Sequence, residues 1–242
     1  MNGFTSLLIR YFTQQHMEDW KLSPKAAIER QRELRALTNL TPLATPIRYI
    51  GGADIAYDKA SDSVHAGVVV LDYETMEIVC SSSIVDTIQF PYIPGLLSFR
   101  EIPSILKAWE VLPIRPDVMM MDGHGIAHPR RVGVATHFGI LTACPSLGCG
   151  KKHLMGNYEA PASEKGSYSP IEDEGEIIGH VVRTCDGVKP VWISPGHGMS
   201  LMQSVEIASH CARTYRIPEP TRQADILVNA LRRGEQEVGI QS

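Results

Sequence analysis

The feature that most constrains this fold is a succession of three strand-like segments joined by short links rich in turn residues. The segments cover about residues 47–57, 64–72 and 76–85. Links this short cannot contain the crossover helix that parallel neighbours require, so consecutive strands must run antiparallel. The sequence therefore predicts a three-stranded meander in the first half of the chain.

Helical and strand-like segments alternate after the meander. Helices are predicted near 103–112 and 131–142, strands near 117–121, 145–149, 176–184 and 190–194, and two closing helices near 199–213 and 221–233. A helix at 24–37 with Ser23 as its cap precedes the meander, and a loop rich in Gly, Ser and Pro is predicted over 156–170. This order predicts an α/β protein with a mixed sheet, three leading antiparallel strands and flanking helices, which is the ribonuclease-H-like arrangement.

Composition narrows the class of protein. The 242 residues are 43% hydrophobic and 21% charged, as in ordinary globular proteins. No apolar run approaches the roughly 18 residues of a membrane span, and we expect neither a signal peptide nor a membrane contact. The five cysteines form no CxxC pair, which indicates reduced thiols in a cytosolic or nuclear compartment, and of these we expect a cytoplasmic location. The net charge of -4 weighs mildly against a nucleic-acid binder, although basic residues cluster locally.

Two aspartates belong to predicted strands. Asp54 lies within GGADIAY, where a buried charge is costly unless it is paired or bound to a metal ion. The preceding Gly51 and Gly52 indicate close approach of another backbone or of a ligand. Asp122 follows the apolar run VMMM at the carboxyl end of a strand, where ligands collect in open α/β sheets. The alternatives are a solvent-facing aspartate at 54 and a structural turn residue at 122.

Two further carboxylates lie near the predicted starts of helices. Glu101 precedes Pro103, which is predicted to lie in the first turn of its helix, and Asp225 lies one turn into the last helix, with Thr221 as a candidate cap. Each could be only a favourable partner of a helix dipole. With the two aspartates they form an oxygen-donor set that suits Mg²⁺ or Mn²⁺, and such ions serve phosphodiester cleavage.

Motifs of other enzyme classes are absent from the sequence. No Cys or His pair has zinc-ligand spacing, and there is no HExxH, GxSxG or P-loop pattern. A glycosidase with paired carboxylates would fit the acids alone, but no aromatic cluster indicates a sugar cleft.

Residues 90–101, FPYIPGLLSFRE, combine a stiff loop with a carboxylate. Each proline fixes φ and removes a backbone donor, and the residue before it is pushed toward extended geometry. The segment is therefore predicted to project rigidly, with Tyr92 at its tip and Glu101 at its base. We call residues 91–94 the prong.

Six motifs taken together resemble the endonuclease V family. They are GGADIAY, FPYIPGLLSFRE, DGHGIAHPRR, GCGKKHL, ISPGHGMS and RIPEPTRQAD, in the family's order over about residues 19–234. The resemblance implies a single catalytic domain at 19–242 after an N-terminal extension at 1–18. It also implies a ribonuclease-H-like fold and an active site that depends on Mg²⁺, for which Mn²⁺ can substitute.

The resemblance also implies roles for individual residues. The metal-binding carboxylates of the family correspond to Asp54, Glu101 and Asp122. Lys151 corresponds to a catalytic lysine that meets the phosphate or the attacking water, and Asp225 corresponds to a catalytic acid near the metal. The strand-separating wedge corresponds to Pro91, Tyr92, Ile93 and Pro94, and the lesion pocket is expected to include Leu97, Gly123, His128 and Leu154. A stiff aromatic wedge suits an enzyme that must take a base out of the stack before reading it.

The implied function is that of a monomeric DNA-repair endonuclease. It would recognise inosine in DNA and hydrolyse the second phosphodiester bond 3′ to it, leaving a 5′-phosphate and a 3′-hydroxyl. Three alternatives stay open: inosine-containing RNA as the natural substrate, a junction resolvase on the same fold, and a non-catalytic module that binds modified nucleic acid.

Overall fold

The computed structural model describes residues 20–58 and 61–241, so the expected extension at 1–18 lies outside the described residues. The helices are α1 (Pro24–Arg35), α2 (Leu97–Glu110), α3 (Val134–Thr142), α4 (Leu201–Cys211) and α5 (Glu219–Arg232). The strands are β1 (Tyr49–Tyr57), β2 (Ser63–Asp72), β3 (Ile78–Thr87), β4 (Val118–Asp122), β5 (Ser146–Gly150), β6 (Tyr168–Asp173), β7 (Glu176–Val182), β8 (Val191–His197) and β9 (Ile240–Gln241).

The strands of the described chain form one mixed sheet in the order β6-β7-β8-β5-β4-β1-β2-β3-β9. The first three pair antiparallel, which confirms the predicted meander. β4 pairs parallel with both β1 and β5, and β8 pairs antiparallel with β5. The carboxyl ends of β1, β4 and β5 therefore meet at one edge of the sheet.

Helices cover both faces of the central strands. Met120 packs in a cluster with Val205 of α4 and Leu227 of α5, whereas Met119 and Met121 pack in a second cluster with residues of α2 and α3. Side chains alternate between faces along a strand, so a strand that is covered on both sides must be apolar throughout. This arrangement accounts for the continuous VMMM run and confirms the sheet flanked by helices.

Gly52 allows α5 to lie directly on β1. A Cβ at this position would stand 1.9 Å from the carbonyl oxygen of Pro220 in the first turn of α5. The prediction of a close backbone approach is therefore confirmed for Gly52, whereas a Cβ at Gly51 would meet the side chains of Met119 and Pro116. The close approach also brings α5, which carries Asp225, over the strand that carries Asp54.

The predicted helix start at Pro103 is wrong, because α2 begins six residues earlier, at Leu97, and Pro103 lies inside it. Phe99, Ile102 and Ile105 are buried at helical spacing on both sides of the proline, and this packing outweighs the lost backbone bond. Glu101 consequently lies in the second turn of α2 rather than at its start. The cap predicted for α1 is confirmed, since the Ser23 hydroxyl accepts the Ala26 N–H at 3.2 Å.

Two strands and one cap differ from the prediction. β6 occupies part of the segment predicted as loop, and its Pro170 is tolerated because β6 lies at the edge of the sheet. β9 was not predicted; it adds only two residues to β3. α5 begins at Glu219, so Thr221 is not its cap and instead donates to the Pro218 carbonyl at 3.2 Å. None of the helices in the described part of the chain is long and apolar enough to cross a membrane.

Candidate active site

Asp54 and Asp122 lie side by side on adjacent parallel strands. The β1–β4 register pairs Ala53 with Met121, and the two aspartates are the next residues along each strand. Their side chains belong to the same face as Ile50 and Met120, because residues two or four apart on a strand share a face. The sheet therefore juxtaposes two carboxylates from segments far apart in the chain.

Glu101 approaches the same edge from α2. The Tyr57 hydroxyl, at the end of β1, donates a 3.0 Å hydrogen bond to its Oε1. Burial raises the pKa of Glu101 to about 7, although the bond from Tyr57 opposes the rise, and the negative charge of Asp122 adds to it. The charges of Glu101 and of the two strand aspartates are therefore close enough to affect one another's pKa.

Lys151 supplies positive charge to this group of acids. It follows β5 directly, and its Nζ lies 2.5 Å from Asp122 Oδ2 and 3.6 Å from Asp225 Oδ1. Burial by itself would lower the pKa of Lys151, but the carboxylates of Asp122, Asp54 and Asp225 raise it, so the ammonium stays protonated. Asp225, at the rim of the group, is 47% exposed.

Negative charge exceeds positive charge at this edge of the sheet. Burial and the neighbouring Asp122 raise the pKa of Asp54 to about 8, despite Lys151 and the Ile55 N–H, which donates to Asp54 Oδ1 at 2.7 Å. Within the described ranges, no three His, Cys, Asp or Glu side chains are arranged so that they could hold a metal ion. The donor set still fits a hard divalent cation, because the carboxylates supply only oxygen ligands and carry more charge than Lys151 balances.

The prong and a cavity lie next to the acidic group. Tyr92, at the tip of the prong, is 67% exposed, as predicted for a projecting aromatic. A cavity of about 150 Å³ lies below it, lined by Ile93 and Pro94 of the prong and by the four residues expected in the lesion pocket, Leu97, Gly123, His128 and Leu154. Since Gly123 follows Asp122 in the chain, one wall of the cavity is continuous with the acidic site.

His128 is fixed as a neutral ring in this wall. Its Nδ1 accepts the Arg130 backbone N–H at 3.2 Å, and its Nε2 lies 3.0 Å from the Gly95 carbonyl. An accepting Nδ1 leaves Nε2 as the protonated donor. Burial and the positive charge of Arg130 lower the pKa of His128 to about 4, in agreement with a neutral ring.

The structure adds site residues that sequence reasoning missed. Tyr57 bonds to Glu101, and the Arg100 guanidinium lies 4.7 Å from the Tyr57 ring centroid while it donates to the Phe90 carbonyl at the base of the prong. His124 lies against Gly150, where a Cβ would stand 2.5 Å from the ring. No sequence signal marks Tyr57, but a glycine directly before a candidate catalytic lysine is a signal of close packing.

The ribonuclease-H-like class of nucleases is defined by a mixed sheet with three leading antiparallel strands, by carboxylates on the adjacent strands β1 and β4, and by a lysine after β5. The profile of the Endonuclease V family matches residues 32–226. Endonuclease V of Myxococcus xanthus is 47% identical over 225 residues, which are 93% of this chain and 96% of that protein. Endonuclease V of Gloeobacter violaceus is 41% identical over 227 residues, covering 93% of this chain and 92% of its own.

Solved structures agree with this assignment. The crystal structure of endonuclease V from Streptomyces avermitilis superposes with a TM-score of 0.84 at 40% identity, covering 90% of this chain and 96% of that one. Endonuclease V of Ciona intestinalis, crystallised with a DNA that contains an inosine followed by a ribo-adenosine, gives a TM-score of 0.76 at 25% identity, covering 86% and 97%. The chain belongs to the Endonuclease V family and is an endonuclease.

Proposed function

We propose that this endonuclease recognises inosine in DNA and hydrolyses the second phosphodiester bond on its 3′ side, leaving a 5′-phosphate and a 3′-hydroxyl. The observation that carries the proposal is the continuity of prong, cavity and acids: Gly123 lines the cavity, and Asp122 beside it is paired with Lys151. A base lifted out of the stack into this cavity would bring its own strand against the acidic edge. The inosine-containing DNA bound by the Ciona relative supports the same substrate.

Asp54, Glu101 and Asp122 would hold a Mg²⁺ or Mn²⁺ ion. When bound, such an ion stabilises the negative charge that develops on the oxygens of a phosphodiester under attack. Lys151 would contribute positive charge to the scissile phosphate, and its protonated state and its pairing with Asp122 support this role. The Tyr57 hydroxyl donates a hydrogen bond to Glu101 Oε1 and so fixes the orientation of this carboxylate.

The prong would act before the chemical step. Tyr92 is exposed at the end of a segment stiffened by two prolines. At the base of the prong, the Arg100 guanidinium donates a hydrogen bond to the Phe90 carbonyl. Insertion of a rigid aromatic costs little conformational entropy, and it can fill the gap that an extruded base leaves.

One assay tests the proposal. DNA and RNA oligonucleotides, each with one inosine, are incubated with the protein and Mg²⁺, Mn²⁺ or EDTA, and the ends of the products are mapped. We expect a single nick at the second bond 3′ to inosine in DNA, dependent on the cation. Preferential cleavage of the RNA would make the protein an inosine-directed endoribonuclease, and cleavage of branched DNA without inosine would favour a junction resolvase.

A matched pair of variants separates the site from the fold. Asp122→Asn should abolish nicking, because it removes the charge between Lys151 and the proposed cation. Asp72→Asn, at the end of β2, makes the same change in an aspartate whose Oδ1 accepts the Glu74 and Thr75 N–H groups of a turn, each at 3.0 Å. Its activity should stay near that of the wild type, and full activity in Asp122→Asn would end the proposal.

We further propose that residues 19–242 form one catalytic domain that acts as a monomer in the cytoplasm and serves DNA repair. The support is the single sheet that runs through the described chain, together with cysteines that all stay free among those residues. Light scattering on the purified protein, with and without inosine-containing DNA, tests the monomer.

A further inference from the structure

Gln31 is a buried polar residue of α1 that bonds to both walls of the cavity below the prong. It is 1% exposed and lies between Ala27 and Leu34 on the face of α1 that is otherwise apolar. Its Nε2 donates to the Gly95 carbonyl at 3.0 Å and to the Val132 carbonyl at 3.1 Å. Both acceptors belong to residues that line the cavity.

The two carbonyls belong to different segments of the chain. Gly95 follows the prong, whereas Val132 lies in the loop between β4 and α3. The Gln31 amide nitrogen donates to both carbonyls, and it therefore fixes the distance between the two segments. Each hydrogen bond tolerates only a few tenths of an ångström of variation in its donor–acceptor distance. The buried amide therefore holds the two walls at one separation.

The remaining atoms of the amide and of the carbonyl are also engaged. Gln31 Oε1 accepts from Arg130 Nε, and Arg130 Nη2 donates to the Gly95 carbonyl at 2.7 Å. His128 Nε2 bonds to the same carbonyl at 3.0 Å. Gly95 itself has φ +77°, a left-handed conformation that favours glycine, so its carbonyl is directed by both backbone and side chains.

We propose that Gln31 is a specificity-determining positioning residue, which sets the width of the base cavity so that it accepts hypoxanthine and excludes guanine. This inference rests on the proposed function. Guanine and hypoxanthine share the 6-oxo group, the N1–H and N7, and differ only in the 2-amino group of guanine. Hydrogen bonds to the shared groups cannot separate the two bases, so discrimination falls on the 2-amino group, for which walls held at one separation leave no room.

Three variants of Gln31 and one control test the inference. Gln31→Met keeps the length of the side chain and removes both donors, Gln31→Glu keeps the acceptor for Arg130 but loses the donors, and Gln31→Asn keeps the amide but is one methylene too short to reach both carbonyls. Gln203→Met is the matched control, because the Gln203 side chain also forms two hydrogen bonds to backbone. It donates to the Leu43 carbonyl and accepts the Leu43 N–H, both at 2.8 Å. Gln203 does not line the cavity.

The readout is the ratio of single-turnover nicking rates on two single-stranded oligonucleotides that differ only in carrying inosine or guanosine at one position. We expect each Gln31 variant that folds to lower the inosine-to-guanosine ratio about tenfold or more, in line with the discrimination that one small group gives in a pocket. Gln203→Met should lower the thermal midpoint and leave the ratio unchanged.

Two results would overturn the inference, and they differ. If both rates fall in parallel in every Gln31 variant, Gln31 only stabilises the fold, and the proposed function stands. If the wild-type protein nicks neither oligonucleotide, the proposed function fails, and this inference fails with it.

Discussion

The contact between Gly52 and α5 gives the sharpest test of how the site is built. In Gly52→Ala the new Cβ would lie 1.9 Å from the Pro220 carbonyl oxygen, whereas real Cβ contacts stay above 3.0 Å. The Pro220 carbonyl belongs to the backbone and cannot move aside as a flexible side chain would. The whole of α5 must therefore move by about 1 Å away from β1. Overpacking of this kind costs roughly 1–3 kcal/mol.

The same shift should damage catalysis, because α5 carries Asp225, which lies 3.6 Å from Lys151, and because β1 carries Asp54. A displacement of about 1 Å at a reacting site can cost on the order of a hundredfold in rate. We therefore expect Gly52→Ala to lower the thermal midpoint by roughly 2–12 °C, since 1 kcal/mol shifts the midpoint of a domain this size by about 2–4 °C. The nicking rate should fall by about two orders of magnitude.

Differential scanning calorimetry and single-turnover nicking of an inosine-containing duplex provide the two measurements. Gly187→Ala is the control, because its Cβ would meet nothing within 4 Å and the substitution brings only the strain of a positive φ. It should cost about 1 kcal/mol of stability and leave the rate unchanged. A Gly52→Ala protein with the wild-type midpoint and the wild-type rate would refute the close contact between α5 and β1.

Three further outcomes are expected. Burial raises the pKa of Asp54 from 3.8 to about 8, so in EDTA the contribution of this carboxyl to stability is fully present below pH 4 and is lost as the pH rises toward 8, by up to about 1.4 kcal/mol per pH unit. The difference in stability between the wild type and Asp54→Asn should therefore fall with this slope, and a difference that does not change with pH would contradict the buried carboxylate. Tyr92→Ala should reduce nicking of duplexes more than of single strands, and an equal loss on both would argue against the wedge. Gly150→Ala, whose Cβ would stand 2.5 Å from the His124 ring, should slow single-turnover nicking, because relief of this contact moves either Lys151 or the His124 ring, which lines the cavity; a normal rate would show that the site tolerates the shift.

Local sequence pattern was sufficient to predict the meander, β4 and the order of helices and strands apart from β6 and β9. It worked because these elements carry strong signals, such as the run VMMM, which is apolar because both of its faces are covered. The start of α2 could not be predicted in the same way. Pro103 is a favourable first-turn residue in isolation, and only the burial of Phe99 and Ile105 shows that the helix continues through it.

The candidate site was predictable as a set of residues but not as a geometry. The six motifs identify Asp54, Glu101, Asp122 and Lys151, and the structure brings them within electrostatic reach of one another; their roles remain proposals. Tyr57 and Gln31 could not be predicted. Each acts through a partner 44 or more residues away along the chain, and such pairings exist only after the sheet and α1 have come together.

The parallel pairing of β1 with β4 has a consequence for how a newly made chain acquires activity. Asp54 and Asp122 become neighbours only when segments separated by the whole of β2, β3 and α2 associate, and contacts between distant segments form late because closing the intervening loop is entropically costly. Far-ultraviolet circular dichroism should therefore recover ahead of nicking when the denatured protein is diluted from urea. An incompletely folded polypeptide would therefore lack nuclease activity.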